Sequence, residues 1–245
     1  AGGWSGNGST NTAEIYYPTE DKWKSVGKMS QARSSLIALM LKDGDVLIMG
    51  GGDGRLGNVT ELEIFDPHSE NFRVIGETDE KYYLATLLSD GRVLMTGGQN
   101  DEGRIHSAAV VFNPVTGDFQ QTGNMNLPRV KHAAALLDDG RVLLIGGSDE
   151  EGFKGRYSGT EVFDPVTRQF SAGPQMHFGR HKIRDAISVL PSGEILIAGG
   201  AEQPEIFDSE SQEFIKVKGR LSGPQMFATS TIMNDENMLV VGGYD

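Results

Sequence analysis

The apolar positions of this 245-residue chain fall in short, repeated runs and not in helical stripes. The clearest run is Asp139-Gly140-Arg141-Val142-Leu143-Leu144-Ile145-Gly146-Gly147. Its order of turn pair, four apolar residues and two glycines recurs at Asp43 to Gly51, Asp90 to Gly98, Ser192 to Gly200 and, most worn, Asp235 to Gly243. Asp-Gly tolerates positive φ and joins two strands in a hairpin. An unbroken apolar run such as Val93-Leu94-Met95 predicts a strand buried on both faces. The paired glycines end that strand where a Cβ has no room. Each copy therefore predicts an inner hairpin.

A second element lies between these hairpins. Glu14-Ile15-Tyr16-Tyr17-Pro18, Glu63-Ile64-Phe65-Asp66-Pro67, Val110-Val111-Phe112-Asn113-Pro114, Glu161-Val162-Phe163-Asp164-Pro165 and Glu205-Ile206-Phe207-Asp208-Ser209 align as strands closed by turns. Seven residues after each aromatic comes another, namely Trp23, Phe72, Phe119, Phe170 and Phe214, which starts a short outer strand. Four strands per unit follow, and no stretch carries capped helical periodicity. Successive diglycines end at Gly3, Gly51, Gly98, Gly147, Gly200 and Gly243, spaced 48, 47, 49, 53 and 43 residues apart. A period of that length is the mark of a repeat architecture.

Paired glycines with spaced aromatics, repeated in register along the whole chain, resemble the kelch-repeat family of β-propellers. The resemblance implies an all-β, single-domain fold over residues 1–245: a five-bladed kelch-like propeller with four antiparallel strands per blade. The chain starts with an outer pair and ends with an inner hairpin. The expected ring is thus closed by residues 13–29 completing the blade begun by residues 226–243. Kelch-like propellers more often have six or seven blades, and Ala1-Gly2-Gly3 duplicates the diglycine of Gly242-Gly243, so a segment of a larger ring stands as the alternative.

Composition changes this picture little. Glycine, at 33 residues, is about twice its ordinary share, as many short strands and turns require. The absence of cysteine excludes disulfides and thiol chemistry. A net charge of −12 argues against nonspecific binding to nucleic acid or acidic membranes. No apolar segment is long enough to predict a membrane-spanning helix. A monomer is expected.

Repetition separates scaffold from site. Glu14, Glu63, Glu161 and Glu205 recur two residues before the aromatic and are read as structural, as are the aromatics and diglycines. At the start of the inner strand, by contrast, the residue types vary from unit to unit. Eight residues before the turn stand Ser35, Tyr82, Lys131, Arg184 and Phe227; ten before it stand Arg33, Glu80, Arg129, Lys182 and Gln225. With the neighbouring His132, Arg180 and His181 they form a basic and aromatic group suited to an anion, because guanidinium forks pair bidentately with carboxylates. The candidate ligand-binding residues are Arg33, Tyr82, Arg129, Lys131, His132, Arg180, Arg184 and Phe227. The resemblance implies the same face, since loops there commonly make the ligand surface of kelch-like propellers.

The expected function is a non-catalytic interaction module presenting a loop-rich, partly basic channel mouth, at the entries to the inner strands, to a protein, an acidic peptide or a glycan. The alternatives are a carbohydrate-active enzyme or sugar mutarotase with its site in the same mouth, and a structural segment of a larger assembly. The acidic loops at Asp53, Gln99 to Glu102 and Ser148 to Glu151 match no established calcium spacing. Gly52 to Gly57 spells GxGxxG, yet a strand follows it where a dinucleotide site needs a helix. His177 and His181 have helical metal spacing but sit in a loop, with no glutamate after the first. Galactose oxidase also resembles kelch propellers, but its chemistry needs a cysteine-crosslinked tyrosine. No catalytic residue, metal or cofactor is assigned.

Overall fold

The computed structural model describes residues 1–52, 59–78, 81–100, 102–149, 155–234 and 237–245, and every regular element among them is a strand. Strands β1 (Glu14–Tyr17) and β2 (Lys22–Ser25) form an antiparallel pair. A first four-stranded sheet follows from β3 (Ile37–Met40), β4 (Val46–Met49), β5 (Glu61–Asp66) and β6 (Asn71–Glu77). The second comprises β7 (Tyr82–Leu87), β8 (Val93–Gly98), β9 (Ala109–Phe112) and β10 (Phe119–Gln121). The third comprises β11 (Ala133–Leu136), β12 (Val142–Ile145), β13 (Gly159–Asp164) and β14 (Gln169–Gln175). The fourth holds β15 (Ile187–Val189), β16 (Ile195–Ile197), β17 (Glu205–Asp208) and β18 (Glu213–Lys216), and a last pair is β19 (Thr229–Asn234) with β20 (Asn237–Val241). Within each sheet the strands lie in sequence order and run antiparallel, as the hairpin pattern predicts.

The spaced aromatics are cross-strand neighbours. Phe65 faces Phe72, Phe112 faces Phe119, and Phe163 faces Phe170, each with ring centroids 4.8 Å apart. Phe207 and Phe214, and likewise Tyr16 and Trp23, stand 5.2 Å apart. Side chains directly opposite in an antiparallel pair make the closest cross-strand contacts. The spacing of seven is the length of chain needed to turn and return to that register. The Asp-Gly turns close on themselves: the Asp43, Asp90 and Asp139 carboxylates accept the backbone N–H two residues on, at 3.0–3.1 Å.

The core lies between consecutive sheets. On β12, Val142 and Leu144 pack with Leu94, Val111 and Met125, whereas Leu143 and Ile145 pack with Ile183, Ile195 and Ile197. β8 divides in the same way, with Val93 and Met95 toward Leu47, Met49 and Ile64, and Leu94 toward the third sheet. Successive side chains point to opposite faces of a strand. A strand sandwiched between two sheets must therefore be apolar at every position. Strands β3, β7, β11, β15 and β19 each touch the next along the series, a propeller-like arrangement.

The terminal pairs lie against opposite ends of this series. β1 and β2 cover the first sheet, where Tyr17 donates to Glu70 at 2.9 Å and Gly27 N–H to the Glu70 carbonyl at 2.9 Å. At the other end, the N–H groups of Phe227 and Ser230 donate to the carbonyls of Lys182 and Asp185, both at 2.8 Å. The two pairs are separate two-stranded sheets, and the joint sheet expected from the sequence is not formed among the described strands.

Candidate functional site

Three of the expected ligand residues are buried. Arg33, Arg129 and Arg180 have no accessible surface, and each holds a buried glutamate of its own sheet. The Nη2–carboxylate distances are 2.7 Å to Glu63, 2.5 Å to Glu161 and 2.8 Å to Glu205. Each guanidinium also donates to a main-chain carbonyl: Glu61, Gly146 and Gly199 respectively. The glutamates in turn accept the backbone N–H of Ser30, of Asn126 and Leu127, and of His177. In the first, third and fourth sheets the repeated Arg–Glu pair thus latches the loop before the inner strand to the third strand of the same sheet. Burial draws the pKa of Arg33 and Arg180 below its ordinary value, and their glutamates oppose that pull. A buried charge needs such a partner. These arginines are therefore scaffold, and no ligand at the surface reaches them.

Above the latch runs a row of unlike residues on one backbone template. Ser35, Lys131, Lys182 and Phe227 all have φ between 57° and 59°. The carbonyl one residue earlier faces the second glycine of each diglycine: Ser34 faces Gly51, Val130 faces Gly147, His181 faces Gly200 and Met226 faces Gly243. By the same criterion Lys81 faces Gly98, which puts Tyr82 in the second sheet's place in the row. Counting back from the turn assigns Arg184 to the fourth place, but Lys182 occupies it. A turn closed by Ala186 N–H on the Ile183 carbonyl adds two residues before β15, so Arg180, not Lys182, is the latch arginine there.

Row members differ in what they present. Phe227 is 52% exposed, and its ring lies 6.0 Å from that of Tyr244. The Lys182 ammonium sits over both, at 5.3 and 4.9 Å, and donates to the Tyr244 hydroxyl. Lys131 is half-buried, and its carbonyl accepts the Lys182 N–H at 2.7 Å. Tyr82 meets His106 edge-on at 6.0 Å. Arg184, partly exposed, lies beside Asp185 at 3.3 Å.

His132 is not a surface group. It is fully buried, its Nε2 is 2.8 Å from the Thr96 hydroxyl, and its ring stands 5.6 Å from Tyr83. Burial, with Arg129 adding to it, holds its pKa well below the ordinary histidine value, so it stays neutral. His181 is likewise buried, and its pKa is pushed down to about 4 by burial and by Arg156, Lys182 and Lys131. Neither is placed for acid–base work on a ligand at the mouth. Of the loop carboxylates named from the sequence, Asp53, Asp101, Glu150 and Glu151 lie outside the described residues, as does Glu80.

Sequence reasoning took the glutamates and the arginines separately and missed that they are partners. The signal was present. Arg33, Arg129 and Arg180 occur in the three complete sheets that carry Glu63, Glu161 and Glu205, and the second sheet has Val110 in the glutamate's place and Glu80 in the arginine's. The Kelch motif matches residues 1–30 and 129–177 of this chain. No curated protein matches it.

Proposed function

We propose, from the premise that this chain is a kelch-repeat protein, that it is a non-catalytic interaction module that receives a peptide segment of a partner protein at the mouth formed by the starts of β3, β7, β11, β15 and β19. Kelch repeats generally mediate contacts between proteins. The observation that carries the reading is the row Ser35, Tyr82, Lys131, Lys182 and Phe227: equivalent positions before the inner strands that carry four different residue types, serine, tyrosine, lysine and phenylalanine. A scaffold role would repeat the residue, as it does in the latch beneath. Variation on a rigid support is what recognition requires. Random peptides displayed on phage and selected on the full chain test it. Binders are expected to lose at least tenfold in affinity with Lys131→Glu or Phe227→Ala. They should be unaffected by Val115→Ser or Val166→Ser, exposed positions in the turns at the far end of the strands. Equal losses at both ends, or consumption of a glycoside panel by the chain, would overturn the reading.

The ring this reading calls for has five blades and closes when β1 meets the edge of β20, a pairing the described strands do not themselves make. Two observations support this. Leu239 and Val241 on β20 are 49% and 52% exposed, whereas their counterparts Leu143 and Ile145 on β12 are fully buried against the next sheet, a neighbour that ring closure would give β20. In the complete sheets Leu47 pairs with Ile64, Leu143 with Val162 and Leu196 with Ile206, and that register sets Leu239 opposite Ile15. The chain has no cysteine, so Ile15→Cys with Leu239→Cys reports the pairing cleanly. A disulfide within one chain is expected. Crosslinks only between chains, or none, would exclude the five-bladed ring.

A further inference from the structure

The cavity at the junction of the first and second sheets identifies the ligand class. It opens at the mouth, and its volume is about 250 Å³. Its floor is aliphatic: Ile37, Met49, Val59 and Leu62, the last three buried. Its wall carries Tyr83, Gln99 and Arg184. The second sheet has Val110 where the other three complete sheets have glutamate, and Glu80 where they have arginine, so it lacks the latch.

Three polar groups of the wall differ in what they ask of a ligand. Gln99 Oε1 is buried and accepts no hydrogen bond from the described residues, an acceptor that a ligand N–H would satisfy. Burial pushes the Tyr83 hydroxyl up to about 12, against the influence of Arg184, so it remains a donor. Arg184 reaches the cavity from the fourth sheet with its side chain 32% exposed. A guanidinium at the edge of a partly desolvated pocket selects a carboxylate.

Resting on the interaction-module reading above, we propose that this cavity is the specificity pocket of the mouth, taking one aliphatic side chain of a peptide whose adjoining carboxylate is held by Arg184 and Tyr83 while Gln99 accepts a backbone N–H. Sites for whole small molecules run from about 300 to 1,000 Å³, and this one is smaller, of a size for a single side chain. A sugar ring would stack on an aromatic face. The Tyr82 and Tyr83 rings instead pack against His106 and His132, and the floor is aliphatic. The carboxylate is either an aspartate or glutamate side chain or the end of the peptide.

The test is fluorescence polarisation on the full chain with short labelled peptides. One arm carries Leu-Asp internally with an amidated end, and a second ends in leucine with a free carboxylate. Controls replace leucine by glycine in both arms and remove the carboxylate, by asparagine in the first arm and by amidation in the second. At least one arm is expected to bind tenfold or more tightly than both of its controls. Arg184→Gln should erase the preference for the carboxylate, and Gln99→Leu should weaken all peptides alike. The unfolding midpoint of each variant serves as the check on folding, and Arg184→Lys should restore part of the preference. Equal binding of leucine and glycine peptides, or a carboxylate preference that survives in Arg184→Gln, would overturn the pocket. The module reading stands in that event if displayed peptides still depend on Lys131 and Phe227. It falls separately if they do not.

Discussion

Truncating Glu161 to alanine is expected to destabilise the fold by about 3–5 kcal/mol, the range for removing one member of a buried ion pair. The carboxylate satisfies four donors: Arg129 Nη2 at 2.5 Å, the Asn126 N–H at 2.6 Å, the Asn126 side-chain amide at 2.9 Å and the Leu127 N–H at 3.2 Å. Without it the guanidinium stays buried and unpaired, and the loop before β11 loses its anchor. Urea denaturation measures the loss as a shift in midpoint at constant slope. The paired variant Glu161→Leu with Arg129→Met removes both charges and should recover much of the stability, since an apolar pair of similar volume often replaces a buried ion pair without loss. A single-variant loss below about 1 kcal/mol, the usual range for an exposed pair, would show that the latch does not hold the loop.

Gly98→Ala is expected to rank next. The residue has φ +126°, and an added Cβ would lie 1.8 Å from the Lys81 carbonyl oxygen and 2.9 Å from its carbon. Both neighbours are backbone, so the strand start must shift. The expected cost is about 1–3 kcal/mol for the dihedral and about 1–3 kcal/mol more for overpacking. Gly103 isolates the first contribution, because at φ +77° nothing lies within 4 Å of its added Cβ. Gly103→Ala should therefore cost about 1–2 kcal/mol. The difference between the two urea midpoints measures the close approach, and equal midpoints would remove the packing explanation for the repeated diglycine.

The repeating unit was legible in the sequence because local physics alone writes it. A strand covered on both faces needs Val142 to Ile145 without a polar break, and a two-strand register needs Phe163 and Phe170 seven apart. The roles of Arg33, Arg129 and Arg180 were harder to read. A long cationic side chain beside a strand start looks alike in sequence whether it reaches outward or folds back. Only the carboxylate 25–32 residues further on decides the matter. The fourth unit misled for another reason: its extra turn at residues 183–186 breaks the fixed count from the Asp-Gly position, so Arg184 was placed in the row that Lys182 occupies. Edge pairing at the ends was the least legible, because strand pattern specifies which edges suit one another but not which of them meet.

The alternation on β8 and β12 also governs how the molecule comes apart. Leu143 and Leu144 are neighbours in the chain, yet each belongs to a different interior. No sheet can leave without stripping one wall from the next, so damage in one unit is felt by its neighbours before it is felt at a distance. The array fails as a row of leaning books fails, from wherever support is thinnest, and among the described strands that is the β19–β20 pair, which no third strand joins.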